Sequence, residues 1–248
     1  MTRVVMITGG SGGIGRAIAR QAAQAGYAVC INYNRNAEKA EALAAEIEGR
    51  GRRAAAVQAD VTRDEEVARM FEESDAKLGP LAALVNNAGT VGWQDRVDTC
   101  TAEQLNALWA VNVTSYFICA REAVRRMSTR HGGAGGAIVN VSSIAGRRGG
   151  REERVHYAAS KGAINTFTLG LAKEVATEGI RVNAVLPGFI LSEFHDGYGG
   201  AERARAVAPR IPMERVGTPD EVADAVMWLL SERSSFVTSS LVDVAGGS

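Results

Sequence analysis

The chain has 248 residues, 46% hydrophobic and 23% charged, enough to bury a large core as one α/β domain spanning 1–248. Its 28 basic and 28 acidic residues balance, which leaves no electrostatic footprint for nucleic acid or an anionic membrane; a small-molecule substrate is the expected partner. Cys30, Cys100 and Cys119 lack the paired spacing of a zinc site or a disulfide framework, so no metal is expected. The apolar start Val4-Val5-Met6-Ile7 is too short for a membrane span and carries no signal-peptide pattern, so the expected location is cytoplasmic.

Short β-branched runs alternate with longer amphipathic stretches, the pattern of a Rossmann-type, doubly wound parallel sheet with helices on both faces. Seven strands are predicted, at 3–8, 28–33, 53–59, 81–86, 137–142, 180–186 and 240–244. After the first comes Thr8-Gly9-Gly10-Ser11-Gly12-Gly13-Ile14-Gly15, running directly into the helical pattern Arg16-Ala17-Ile18-Ala19. Glycines there let the backbone turn and approach a pyrophosphate, and the next helix offers free N–H groups and its positive end. Gly9, Ser11, Gly13, Ile14 and Gly15 are therefore expected cofactor contacts.

The second strand runs into Ile31-Asn32-Tyr33-Asn34-Arg35, with no carboxylate to bind a ribose 2′-hydroxyl. Asn34 and Arg35 are the expected contacts at this point. Arg35 offers a charge-assisted bond to a 2′-phosphate, which favours NADP and leaves NAD possible. Residues 36–49 set Ala40, Leu43, Ala44 and Ile47 at helical spacing, with Asn36 as N-cap and Gly49 as stop. Asp60-Val61 closes the third strand; Asp60 either binds cofactor or caps a helix beginning near Thr62. Asn86-Asn87-Ala88-Gly89 follows the fourth strand. In the helical region 103–127, Asn112 sits between Val111 and Val113, a mild misfit for a helix interior.

The fifth strand ends in Ser142 and Ser143, and Tyr157-Ala158-Ala159-Ser160-Lys161 opens a helix over 156–178. Tyr157 and Lys161 are four residues apart, on one helical face, so the ammonium is expected to lower the phenol from its ordinary value of about 10. Reducing a carbonyl leaves an alkoxide that needs a proton, and the reverse reaction needs a base; Tyr157 suits both directions. Ser143 is placed to hydrogen-bond the substrate oxygen.

Thr8-Gly9 through Gly15, Asn86 to Gly89, Ser143 and Tyr157-x-x-x-Lys161 together resemble the short-chain dehydrogenase/reductase superfamily. Asn183-Ala184-Val185-Leu186-Pro187-Gly188-Phe189-Ile190, Arg215-Val216-Gly217-Thr218-Pro219 and Asp243-Val244-Ala245-Gly246-Gly247 extend the match from Arg3 to Gly247. The resemblance implies a nicotinamide-dependent oxidoreductase acting on an alcohol or carbonyl. It implies adenosine-side contacts from Asn87 and Gly89, adenine contacts from Asp60 and Val61, and carboxamide contacts from Pro187 and Ile190. It also implies that Tyr157 and Lys161 touch the nicotinamide ribose and that Asn112 holds a water in a proton relay behind Lys161. Ser143, not Ser142, is the implied catalytic serine, because it directly precedes the x-x-Gly turn Ile144-Ala145-Gly146. Gly12 stands where many NADP-using relatives carry a basic residue, which speaks against NADP.

Substrate choice is expected from loops 90–98, 144–156 and 191–212. The second carries Arg147, Arg148, Arg151, Glu152, Glu153, Arg154 and His156, and so points to a polar or anionic substrate, a sugar or polyol or a 3-oxoacyl thioester; plain solvation is the alternative. Trp93 and Phe194 are candidate apolar walls, and Gly197, Gly199 and Gly200 candidate hinges of a lid. The apolar faces of 103–127 and 156–178 point to a homotetramer or homodimer. A non-catalytic nucleotide sensor on the same fold is the rival reading.

Overall fold

The computed structural model describes residues 3–150, 153–191 and 200–248. Its centre is a seven-stranded sheet in the order β3-β2-β1-β4-β5-β6-β7, every neighbouring pair parallel. The strands are β1 (Val4–Ile7), β2 (Ala28–Tyr33), β3 (Ala54–Gln58), β4 (Leu81–Asn86), β5 (Gly136–Val141), β6 (Ile180–Pro187) and β7 (Leu241–Val244). Each predicted strand is present, the first, third and seventh shortened at their ends, where the chain is already turning.

Because side chains alternate along a strand, each buried strand must be apolar on both faces. Val5 and Ile7 of β1 enter one core with helices α1 (Gly13–Gln24), α2 (Ala37–Gly49) and α9 (Pro219–Leu230). Val4 and Met6 enter the other, against α3 (Asp64–Leu78), α5 (Ser115–Met127) and α7 (Val155–Val175). The sheet is thereby covered on both sides, and strand order reverses between β1 and β4. Loops leaving the carboxyl ends of those two strands diverge there and open a crevice.

Helix starts follow their capping chemistry where the end is structural. Thr218 and Glu221 form a reciprocal capping box at α9, and Thr101 and Gln104 another at α4 (Ala102–Trp109). Asn36 occupies the N-cap position of α2, as expected, yet its side chain makes no capping bond. The predicted helix over 103–127 is interrupted: Ala110–Thr114 forms a π-turn between α4 and α5. This places Asn112 where its side chain bonds across to neighbouring segments rather than along its own helix. Two short helices complete the crevice, α6 (Ala145–Arg148) and α8 (Gly200–Val207). Phe194, Gly197, Gly199, Arg151 and Glu152 lie outside the described residues. Among the described residues no helix is long and apolar enough to cross a membrane.

Candidate active site

At the carboxyl ends of the strands lies a cavity of about 710 Å³, within the range of small-molecule sites. One end is the glycine loop. Gly9 adopts a left-handed φ of +60°, and its N–H donates to the Oδ1 of buried Asn32 at 3.1 Å. Thr8 Oγ1 accepts from the N–H groups of Asn87 and Ala88 at 2.9 and 3.0 Å, and Asn87 Nδ2 donates to the carbonyls of Thr8 and Gly9 at 3.0 Å each. The loop after β1 and the loop after β4 are thus laced together across the switch point. Asn87 lines the cavity while its amide nitrogen fastens the glycine loop.

Gly15 works beneath the loop. A Cβ there would lie 2.4 Å from the Gly9 carbonyl oxygen and 2.7 Å from Asn87 Nδ2. Helix α1 starts at Gly12 with no side-chain cap and no acidic residue in its first turn, so its positive end is left for a ligand. A loop that admits no side chain, leading to an uncapped helix end, fits a dinucleotide pyrophosphate.

The other wall carries the proton-handling groups. Ser143 follows the end of β5; its Oγ accepts from the Ala145 N–H at 3.2 Å, and its hydroxyl acts to lower the Tyr157 phenol. Ser142 points the opposite way, donating within 2.6 Å of Asn165 Oδ1 and 3.1 Å of the Lys161 carbonyl. Lys161 is buried; its Nζ donates to the Val141 carbonyl at 2.9 Å and to Tyr116 Oη at 3.3 Å. Tyr116 in turn donates to the same Val141 carbonyl at 2.9 Å. Asn112, wholly buried, accepts from the Thr90 N–H and donates to the Thr90 carbonyl, both at 2.8 Å, and also donates to Ser160 Oγ at 3.1 Å.

The expectation that Lys161 lowers the Tyr157 phenol is corrected in the protein alone. Burial raises it, and the Ser143 hydrogen bond and the Arg154 charge only partly oppose that. The Lys161 Nζ stands 6.0 Å from the Tyr157 ring centroid, and burial pushes Lys161 itself down to about 7.

That depression makes stability depend on pH. Between about 7 and its ordinary 10.5, the unfolded chain carries a proton on Lys161 that the folded chain does not, so stability rises with pH through that window. Buried Cys30 and Cys119, pushed up to about 12 from 9.0, oppose the trend above their ordinary value. Urea denaturation between pH 7 and 9 should show a positive slope, at most about 1.4 kcal/mol per pH unit from this group, which Lys161→Met removes. An unchanged slope in the variant would refute the assignment.

Gly9, Ser11, Gly13, Ile14, Asn87, Gly89, Ser143, Tyr157, Lys161, Pro187 and Ile190 all line the cavity. A Cβ at Gly89 would lie 3.4 Å from Asn112 Oδ1 and 3.6 Å from Lys161 Nζ. Gly15 and Asn112 support the lining from behind it. Asn34, Arg35, Asp60 and Val61 are not among the lining residues; Asn36 and Lys39 take that end. Asp60 accepts from the Thr62 N–H at 3.0 Å and its hydroxyl at 2.7 Å. Burial raises its carboxyl, but these bonds and one from Asn34 hold it below its ordinary value. It ties the turn before α3, whose N-cap position is Arg63.

Sequence reasoning missed Tyr116, Thr90 and Lys39. Tyr116 looks like an ordinary core aromatic, and its one local signal is a place four residues after Asn112. Ser160 stood inside the Tyr157–Lys161 motif without a role. Trp93, a candidate wall, is not among the lining residues; it stacks on His156 at 4.1 Å between centroids and 3° between planes.

Comparisons with known proteins place this geometry. A family model described as enoyl-(acyl carrier protein) reductase matches residues 9–248. The uncharacterized oxidoreductase YgfF of Escherichia coli (strain K12) is 51% identical over 244 residues, covering 98% of this chain and 99% of that one. The 3-oxoacyl-(acyl-carrier-protein) reductase FabG of Staphylococcus aureus (strain N315) is 35% identical over 258 residues, covering 100% and 98%. The glucose and ribitol dehydrogenase homolog of Oryza sativa subsp. japonica is also 35% identical, over 256 residues, covering 99% and 85%.

Proposed function

Because the chain belongs to the short-chain dehydrogenase/reductase superfamily, and so is a nicotinamide-dependent oxidoreductase, we propose that it interconverts a polar carbonyl and its alcohol with NADP(H), Tyr157 moving the proton. The observation that carries this reading is that Ser143, Tyr157 and Lys161 line the same cavity as the uncapped, glycine-lined start of α1. The dinucleotide, when bound, supplies or accepts the hydride. Gly9, Ser11, Gly13 and Ile14 would hold its pyrophosphate, and Pro187 and Ile190 would border its nicotinamide end.

In the reductive direction Tyr157 Oη donates its proton to the carbonyl oxygen, and in the oxidative direction it takes the alcohol proton. A phenol raised by burial keeps its proton at neutral pH and is suited to donate it. Ser143 Oγ, aimed by the Ala145 N–H, donates a hydrogen bond to the same oxygen as charge develops there. Lys161 stands one helical turn beyond Tyr157 on the cavity lining, and would hold the ribose hydroxyls of the dinucleotide. Asn112 is a positioning residue: with its amide bound to Thr90 and Ser160, it holds the loop after β4 against α7.

Relatives named for a 3-oxoacyl thioester and for a sugar stand at the same 35% identity, so both substrate classes belong in the assay. A panel of sugars, ketones and acyl thioesters, followed by nicotinamide absorbance, tests the reaction; no consumption of NADPH with any carbonyl would overturn it. We read the chain as one cytoplasmic domain that assembles with copies of itself. In support, Trp109 and Phe117 leave 38% and 48% of their surface exposed on the α4–α5 side, Phe117 lying 3.9 Å from Phe167 of α7.

For the cofactor, Lys39 on α2 lines the cavity, Arg35 follows β2 just outside the lining, and no carboxylate stands in Asn32–Asn36, which together favour a 2′-phosphate. Fluorescence titration should show NADPH binding more tightly than NADH, with Arg35→Ala narrowing the preference by about tenfold. Tighter binding of NADH would refute the NADP assignment.

A further inference from the structure

We propose that the substrate carries an anionic group, carboxylate or phosphate, a few bonds from the reacting carbon, and that Arg148, Arg154 and Arg203 receive it. The proposal rests on the carbonyl-reducing reading of the cavity and adds the charge of what enters it.

The three arginines come from separate elements, the end of α6, the residue before α7, and α8, yet all line the cavity that holds Ser143 and Tyr157. No acidic side chain lines it among the described residues. Several arginines elsewhere in the fold are matched to carboxylates, and Arg53 and Arg181 to backbone carbonyls. Arg147, next to Arg148, is gripped by both oxygens of Asp243 at 2.9 Å and donates to the Leu241 carbonyl at 3.2 Å. Arg215 is bound by Glu221, and Arg126 by Asp75 at 2.7 Å. Among the described residues no carboxylate lies in ion-pair range of Arg148 or Arg203. The polar loop thus divides its labour: Arg147 fastens it to β7, and Arg148 faces the cavity.

Arg154 sets the distance. It lies three residues before Tyr157, is half-buried, is held by Gln94 Oε1 at 3.1 Å, and its charge is felt at the Tyr157 phenol. An anion received there lies close enough to the proton donor to share its electrostatic surroundings. That proximity favours a small oxo-acid or a short sugar phosphate over a group whose only charge is remote. Guanidinium groups bind carboxylate and phosphate through paired N–H donors, and a partly water-excluded cavity strengthens each bond. Plain solvation of a loop explains exposed charges that face outward; it does not explain three of one sign lining the cavity that holds the proton donor.

Two matched pairs test this: acetoacetate against methyl acetoacetate, and glyceraldehyde 3-phosphate against glyceraldehyde. Calorimetric titration with saturating NADP⁺ reads binding without turnover. We expect at least one charged member to bind about tenfold or more tightly than its neutral partner, the pair concerned distinguishing carboxylate from phosphate. In Arg148→Ala/Arg203→Ala that ratio should fall towards one. Equal binding within both pairs, or a ratio unmoved by the double substitution, overturns the proposal. NADPH affinity falling in parallel would assign the arginines to the cofactor phosphates and overturn it as well. A charge preference without turnover of any carbonyl would sink the reaction and leave the anion site standing; turnover of neutral carbonyls without preference would do the reverse.

Discussion

Tyr157→Phe is expected to lower kcat by about 10²–10⁴-fold and to leave NADPH affinity nearly unchanged. The substitution removes one oxygen, the proposed proton donor of a side chain that lines the cavity with Ser143. The ring keeps its place on α7, so the glycine loop and the start of α1 are untouched. Ser143 and Lys161 do not replace the lost group. The serine hydroxyl has a far higher intrinsic pKa, and the Lys161 ammonium is turned to the Val141 carbonyl and to Tyr116. Single-turnover absorbance measurements with saturating NADPH separate the proton step from binding. Turnover retained in this variant would sink the mechanism, whereas loss of NADPH binding would show that the ring, and not the proton, was being tested.

Gly15→Ala is expected to weaken NADPH binding by about ten- to a hundredfold and to cost about 1–3 kcal/mol of stability. The added methyl would sit 2.4 Å from the Gly9 carbonyl oxygen, 2.7 Å from Asn87 Nδ2 and 2.9 Å from Gly10 Cα. Two of those neighbours are backbone, so the loop must shift rather than a side chain rotate. Asn87 is the link between the loops after β1 and β4, and its bonds to Thr8 and Gly9 would lengthen with the shift. Gly49→Ala is the control: nothing lies within 4 Å of its added Cβ. Thermal unfolding and NADPH titration of both variants give the comparison, and wild-type affinity in Gly15→Ala would show that the loop geometry does not govern binding.

The features legible in the amino-acid order are those set by neighbours a few residues apart. Val4 to Ile7 must send alternate side chains to opposite faces, so an apolar run that short reads as a buried strand with helices on both sides. Gly9 to Gly15 prescribe a turn with no room for side chains, and the four-residue interval from Tyr157 to Lys161 prescribes a shared helical face. These patterns determined the parallel fold, the dinucleotide loop and the pair of groups proposed to handle the proton. The π-turn at Ala110–Thr114 had only a trace in sequence, a polar residue among β-branched neighbours.

What only the tertiary structure decided involves partners distant in the chain. Lys161 shares a face with Tyr157, but its ammonium is taken by Val141 and Tyr116, and burial, not the phenol, sets its protonation. Ser142 and Ser143 are adjacent and both line the cavity, and which hydroxyl stays available to a ligand follows from Asn165 on α7 claiming the first. Arg147 and Arg148 are likewise adjacent, and Asp243 on β7 claims the first. In each case the amino-acid order brings two side chains together, and distant partners decide what each of them binds. Those partners are supplied by strand order and helix packing, which local spacing does not encode.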